Sequence, residues 1–125
     1  MSKTKKVRFY AYDACGTCKK AKKWLDEHGI AYEAVPIVEK PPTAAELDAW
    51  IRKSEVPARK WFNTSGQSYR ALVAELGKDK VASLTEAEIV ERLARDGKLI
   101  KRPVLVAGDR VLVGFREEEY ESLLG

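Results

Sequence analysis

A chain of 125 residues is long enough for one domain with its own core, and 45% hydrophobic with 34% charged residues is the balance of an ordinary folded protein. The net charge of +4 is spread over 23 basic and 19 acidic residues, too mild and too mixed to point to nucleic acid, and no apolar run approaches the roughly 18 residues of a membrane helix. Two cysteines cannot frame a disulfide-rich secreted scaffold; in a reducing compartment such a pair is redox-active or metal-binding more often than structural. The start, MSKTKK, is basic, but strand-like sequence follows it rather than an apolar signal core, which predicts a cytoplasmic protein.

Val7–Tyr12 (VRFYAY) is β-branched and aromatic and predicts a buried first strand. A helix is expected from Gly16 to His28, ended by Gly29 as its left-handed cap, with Cys18, Ala21, Leu25 and His28 on one face and Trp24 beside them. Ile30–Val35 predicts a second strand, parallel to the first because β-α-β crossovers are right-handed. A capping box at Thr43–Glu46 opens a helix striped by Leu47, Trp50 and Ile51. Lys60–Gly66 (KWFNTSG) reads as a turn and loop, and QSYRALVAEL after it as a helix. A second capping box, Thr85–Glu88, opens a helix carrying Ile89, Val90 and Leu93 that Gly97 ends. Pro103–Phe115 predicts a hairpin turning at Gly108-Asp109, and EEEYESLL a last helix with an acidic first turn that suits its dipole. The order is β-α-β, a helical block, then β-β-α. It predicts an α/β fold of one domain over 1–125: a thioredoxin-like core, about 7–38 and 98–125, with a helical insertion at about 43–97.

Both cysteines fall between the first strand and first helix, where that fold presents a reactive thiol. A thiolate is the nucleophile, and its pKa drops at a helix N-terminus and near cations. Cys15 is expected at or before the first turn and Cys18 one turn in, close enough to attack a mixed disulfide at Cys15. Gly16 is expected to let the chain pass tightly, and Thr17 to add a hydroxyl donor. Lys19, Lys20, Lys22 and Lys23 come early in the helix and Asp26 and Glu27 late, the reverse of what the dipole favours; this order suits an anion held at the N-terminus. Two other readings compete. A pair of buried, inert thiols is one. Zinc is the other, and it lacks ligands: a structural site takes four, whereas the chain has two cysteines and one histidine, and His28 lies ten residues beyond Cys18 on the same helix. No metal site is expected.

CGTCKKAKKWL, NTSG, DGKLIKRPVLV and VGF before an acidic helix, in that order over Val7 to Leu124, resemble the arsenate-reductase-related (ArsC/Spx-type) family, which is thioredoxin-like. The resemblance implies that Cys15 is the nucleophile, that Arg102 faces it, and that the Arg102–Pro103 bond is cis. Arginine in that place lowers a thiol's pKa and binds oxyanions or carboxylates.

The departures divide the family's functions. Glutathione-coupled arsenate reductases resemble the chain at Cys15, Gly16 and Thr17 but carry serine where Cys18 stands. They also carry further oxyanion-binding arginines: one falls where this chain has Asn63, and another falls at Phe115, with Arg116 one residue later. Spx-type regulators, in which the pair is a redox switch and RNA polymerase the partner, match the CxxC better but extend beyond the last helix. The expected function is a cytoplasmic, monomeric thiol–disulfide protein with Cys15 as nucleophile and Cys18 as resolving thiol, recycled by glutathione, glutaredoxin or thioredoxin and needing no bound cofactor. Lys19, Arg102, Pro103 and the polar run at Asn63 are expected to receive the substrate; Asn63, Thr64 and Ser65 equally suit a turn.

Overall fold

The computed structural model describes residues 7–12 and 14–124; the basic N-terminal hexapeptide, Asp13 and Gly125 lie outside the described residues. In chain order it has β1 (Val7–Ala11), α1 (Gly16–Glu27), β2 (Glu33–Pro36), α2 (Ala44–Ser54), a 3-10 turn at Ala58–Trp61, α3 (Gln67–Leu76), α4 (Lys78–Ala82), α5 (Glu86–Arg95), a second 3-10 turn at Gly97–Leu99, β3 (Val104–Ala107), β4 (Arg110–Val113) and α6 (Glu117–Leu124). The sheet order is β2-β1-β3-β4, with β1 parallel to β2 and antiparallel to β3, and β3 antiparallel to β4. This is the α/β arrangement the element order predicts, with α2 to α5 between its halves.

The pleat assigns the two faces. Val7, Phe9, Leu105, Ala107 and Leu112 pack on one side with Ala21, Trp24 and Leu25 of α1 and Tyr120 of α6. Tyr10, Val104, Val106 and Val111 pack on the other with Leu47, Trp50, Ile51, Ile89 and Leu93 of the inserted helices. Alternate residues of β1 and β3 thus serve opposite layers, as a period of two requires. Burying these large side chains, at about 25 cal/mol per Å² of apolar surface, is the main force holding both layers on the sheet.

Local chemistry sets the boundaries. Both predicted capping boxes form, with Thr43 and Glu46, and Thr85 and Glu88, exchanging side-chain and backbone hydrogen bonds. α1 closes in a Schellman motif: Gly29, at φ +65°, donates to Asp26 O, and Ile30 to Leu25 O. This engages Ile30, so β2 begins at Glu33 instead of at Ile30. His28 ends α1 exposed, outside the buried face: its ring stacks on Trp24 at 3.8 Å, and its Nδ1 donates to Trp24 O. No capping signal in the sequence marks α4; it follows α3 through Gly77, whose φ of +87° turns the chain. Gly97 does not act as a left-handed cap. It packs so tightly that a Cβ there would collide with the Ile37 carbonyl, which seats the end of the insertion on the segment after β2.

Candidate active site

Cys15 is the N-cap of α1. The turn that delivers it is closed by its own amide donating to Tyr12 O at 3.0 Å, and its Sγ accepts from the Cys18 backbone N–H at 3.2 Å. The sulfur therefore takes the place that a serine or aspartate oxygen usually fills at a helix start. Cys15 is partly exposed and Cys18 is 3% exposed, facing inward; both are free thiols.

The opposite wall is the chain between the second 3-10 turn and β3. Lys101 N–H donates to Trp61 O at 2.7 Å and Asn63 N–H to Leu99 O at 2.8 Å, fastening this segment to the loop after the first 3-10 turn. Arg102 stands in front of a cis bond to Pro103. Its guanidinium lies 5.0 Å from the centroid of the Tyr12 ring, and its Nη1 donates to Lys98 O at 3.2 Å.

The two thiols are set far apart electrically. Burial alone would raise Cys15, but the neighbouring Cys18 thiol, the Cys18 amide that donates to its sulfur and the nearby positive guanidinium of Arg102 outweigh it and lower Cys15 from the ordinary thiol value. Cys18 is pushed up to about 12, by burial first and then by its hydrogen bond to Cys15 and the charge there. Cys15 is therefore the more readily ionised of the two thiols.

Cys15 opens into a cleft of about 650 Å³ also lined by Thr17, Phe62, Asn63, Thr64, Ser65, Val113, Gly114 and Phe115. Five cationic side chains complete it: Arg59, Lys60, Lys101, Arg102 and Arg116; no carboxylate lines it among the described residues. Gly114, at φ +79°, leaves room for the Lys101 side chain, which would sit 3.3 Å from a Cβ there.

Of the candidates read from the sequence, Cys15, Thr17, Asn63 and Arg102 meet in this cleft, with Cys18 buried beside Cys15. Lys19 does not line it. Position 19 is about 200° around the helix from Thr17, so Lys19 borders a shallow groove with Lys22, Lys23, Asp26 and Glu27 instead. Gly16 is exposed, with nothing within 4 Å of where its Cβ would be; crowding within the chain does not require it, contrary to the tight passage expected. Pro103 is buried behind the cleft, its carbonyl accepting from Gly114 N–H. Asn63 does both things the sequence allowed: it lines the cleft, while its amide donates to Lys98 O at 3.3 Å and packs where Gly66 has no side chain. Arg59, Lys60 and Lys101 line the cleft with no motif to announce them; their one sequence signal is that basic residues flank WFNTSG and Arg102.

The sequence profile of the ArsC family matches residues 10–123. The chain belongs to the ArsC family. Among its relatives is the YusI protein of Bacillus subtilis, 49% identical over 93% of this chain and 96% of that one. The global transcriptional regulator Spx of Listeria innocua is 27% identical over 94% of this chain and 86% of that one. The crystal structure of an ArsC-family-related protein from Bacteroides fragilis superimposes with a TM-score of 0.86 at 48% identity, covering 94% of this chain and 98% of that chain. The ArsC-family, thioredoxin-like fold expected from the motifs is thus the fold present.

Proposed function

We propose that this ArsC-family protein is a thiol–disulfide oxidoreductase acting on small anionic disulfides, with Cys15 as nucleophile and Cys18 as resolving thiol. One observation carries the reading: a low-pKa thiol capping α1 opens into a cleft with five cations, beside a buried partner thiol. The Cys15 thiolate attacks one sulfur of the substrate disulfide; a Cys15–substrate disulfide forms and the other half leaves as a thiolate. Two of the causes that hold the proton on Cys18 are its hydrogen bond to Cys15 and the charge of that group. Both fall away once the Cys15 sulfur is in a neutral disulfide, which eases ionisation of Cys18 while burial, the largest cause, remains. Cys18 then gives its proton to solvent and attacks Cys15; the Cys15–Cys18 disulfide forms and the second substrate half leaves. The protein has lost two electrons and the substrate has gained them. A dithiol such as thioredoxin, or glutathione with glutaredoxin, returns the protein to its reduced state. The chemistry requires a reducing compartment, and we place it in the cytoplasm.

Glutathione disulfide is the first substrate to test, because its carboxylates suit the cations around Cys15. Its steady reduction in the presence of a dithiol, lost in Cys15→Ser, supports the reading; no turnover with glutathione or other anionic disulfides opposes it. Arsenate fits less well. Asn63 stands where the resembling reductases place an arginine, and its amide is turned to Lys98 O. Robust arsenate turnover with glutathione and glutaredoxin would favour that alternative.

The relationship to Spx supports a second reading, in which the same disulfide gates binding to RNA polymerase. Capture of polymerase by one redox form and not by the other would favour it.

A further inference from the structure

Next to the Cys15 cleft lies a second cavity, of about 560 Å³, between α3, α4 and the first 3-10 turn. Its wall is apolar and aromatic: Phe62, Tyr69, Val73 and Val81, with the Phe62 and Tyr69 rings 5.5 Å apart and tilted by 55°. Three cations, Arg59, Arg70 and Lys78, also line it, and no carboxylate does among the described residues. Arg59, Phe62 and Thr64 line both cavities, so the two adjoin. Arg59 is held at the junction: Nη1 donates to Val81 O and Nη2 to Leu84 O, each at 3.2 Å. A guanidinium has five N–H donors, so the remainder stay available.

The volume is that of a small-molecule site, and the combination is specific: an apolar slot walled by two aromatic rings and lined by cations, adjoining the cleft of a reactive thiol. Glutathione has anionic groups for the Cys15 cleft but nothing planar and apolar to fill the slot. A thiol that carries a nucleotide has both, a ring to lie against Phe62 and Tyr69 and phosphates to meet Arg59, Arg70 and Lys78.

We propose that the cavity between α3 and α4 is a second compartment of the substrate site, holding the aromatic, phosphate-bearing head of a nucleotide-bearing disulfide whose sulfur reaches Cys15. The inference rests on the thiol–disulfide reading for its chemistry, and the exchange is the one already written: the Cys15 thiolate displaces one nucleotide-bearing thiolate, Cys18 the other, and a dithiol resets the protein.

The test uses Cys18→Ser protein, in which mixed-disulfide formation is followed by mass spectrometry with coenzyme A disulfide and with glutathione disulfide. The coenzyme A disulfide should react about tenfold faster. Arg70→Glu and Tyr69→Ala should remove that advantage while leaving the glutathione rate unchanged. Equal rates, or an advantage that survives both variants, overturn the proposal and leave the thiol–disulfide reading standing. A second arm needs no thiol chemistry. Calorimetry with reduced coenzyme A on a Cys15→Ser, Cys18→Ser protein should show binding that Val73→Trp, which fills the slot, abolishes. If Cys15 reacts with neither disulfide, the thiol–disulfide reading fails, and this arm alone decides the cavity. No binding, or binding no tighter than that of inorganic pyrophosphate, excludes the aromatic head.

Discussion

The backbone amide of Cys18 donates to the sulfur of Cys15 across 3.2 Å. A thiolate accepts such a bond more strongly than a thiol, so helix formation and ionisation of Cys15 favour one another. The folded pKa of Cys15 is depressed; its contribution to stability is therefore fully present above the ordinary thiol pKa and is lost as pH falls through the folded value.

Alkylation should follow the same order. In Cys18→Ser protein, Cys15 should react rapidly, with a pH midpoint below that of an ordinary cysteine thiol. Arg102→Ala should slow it about threefold to tenfold at pH 7, since one pKa unit is a factor of ten in thiolate. In Cys15→Ser protein, Cys18 should stay slow at neutral pH, because burial, the largest cause of its raised pKa, remains. A faster Cys18 in these alkylation rates would reverse the assignment.

The cations of the cleft should matter by place, not by number. Lys60→Glu and Lys101→Glu should each slow reaction with glutathione disulfide about threefold or more at low salt, with the loss shrinking as salt rises. Lys19→Glu, on the far side of α1, should change the rate much less. Stopped-flow rates over a salt series distinguish these outcomes; equal effects of all three would show that only net charge counts.

Thr43→Ala and Thr85→Ala each remove one reciprocal cap and should cost about 1 kcal/mol apiece. The two caps share no hydrogen-bond partner, so the double variant should cost close to the sum in urea unfolding.

Two glycines should behave oppositely. Gly97→Ala drives a methyl into the Ile37 carbonyl and should cost about 1–3 kcal/mol. Gly16→Ala, with open space around it, should lose no measurable stability in the same urea titration.

The fold was legible because its signals are local and repeated. The strand pattern of Val7–Tyr12, the two capping boxes and the Gly108-Asp109 hairpin each specify their own element, and their order leaves few topologies. The β2 boundary was not legible, since it depends on Ile30 closing α1 through a hydrogen bond to Leu25. The place of Cys15 and Cys18 at the start of α1 follows from their spacing, and Arg102 enters only through the family resemblance. Arg59, Lys60 and Lys101 follow from neither, because exposed basic residues are common and only the pairing of Phe62 with Ile100 brings these segments together over the thiol. Lys19 is near Cys15 in sequence yet faces away from the cleft, because two positions along a helix from Thr17 turn it to the other side.

In the proposed exchange Cys15 attacks and Cys18 resolves. The direct measurement is intact mass and peptide mapping after a brief exposure to glutathione disulfide. Wild-type protein should give an intramolecular Cys15–Cys18 disulfide with little adduct, Cys18→Ser a stable glutathione adduct on Cys15, and Cys15→Ser almost nothing. An adduct that forms on Cys18 in Cys15→Ser protein as fast as on Cys15, or wild-type protein that accumulates the adduct without closing the disulfide, would contradict that order.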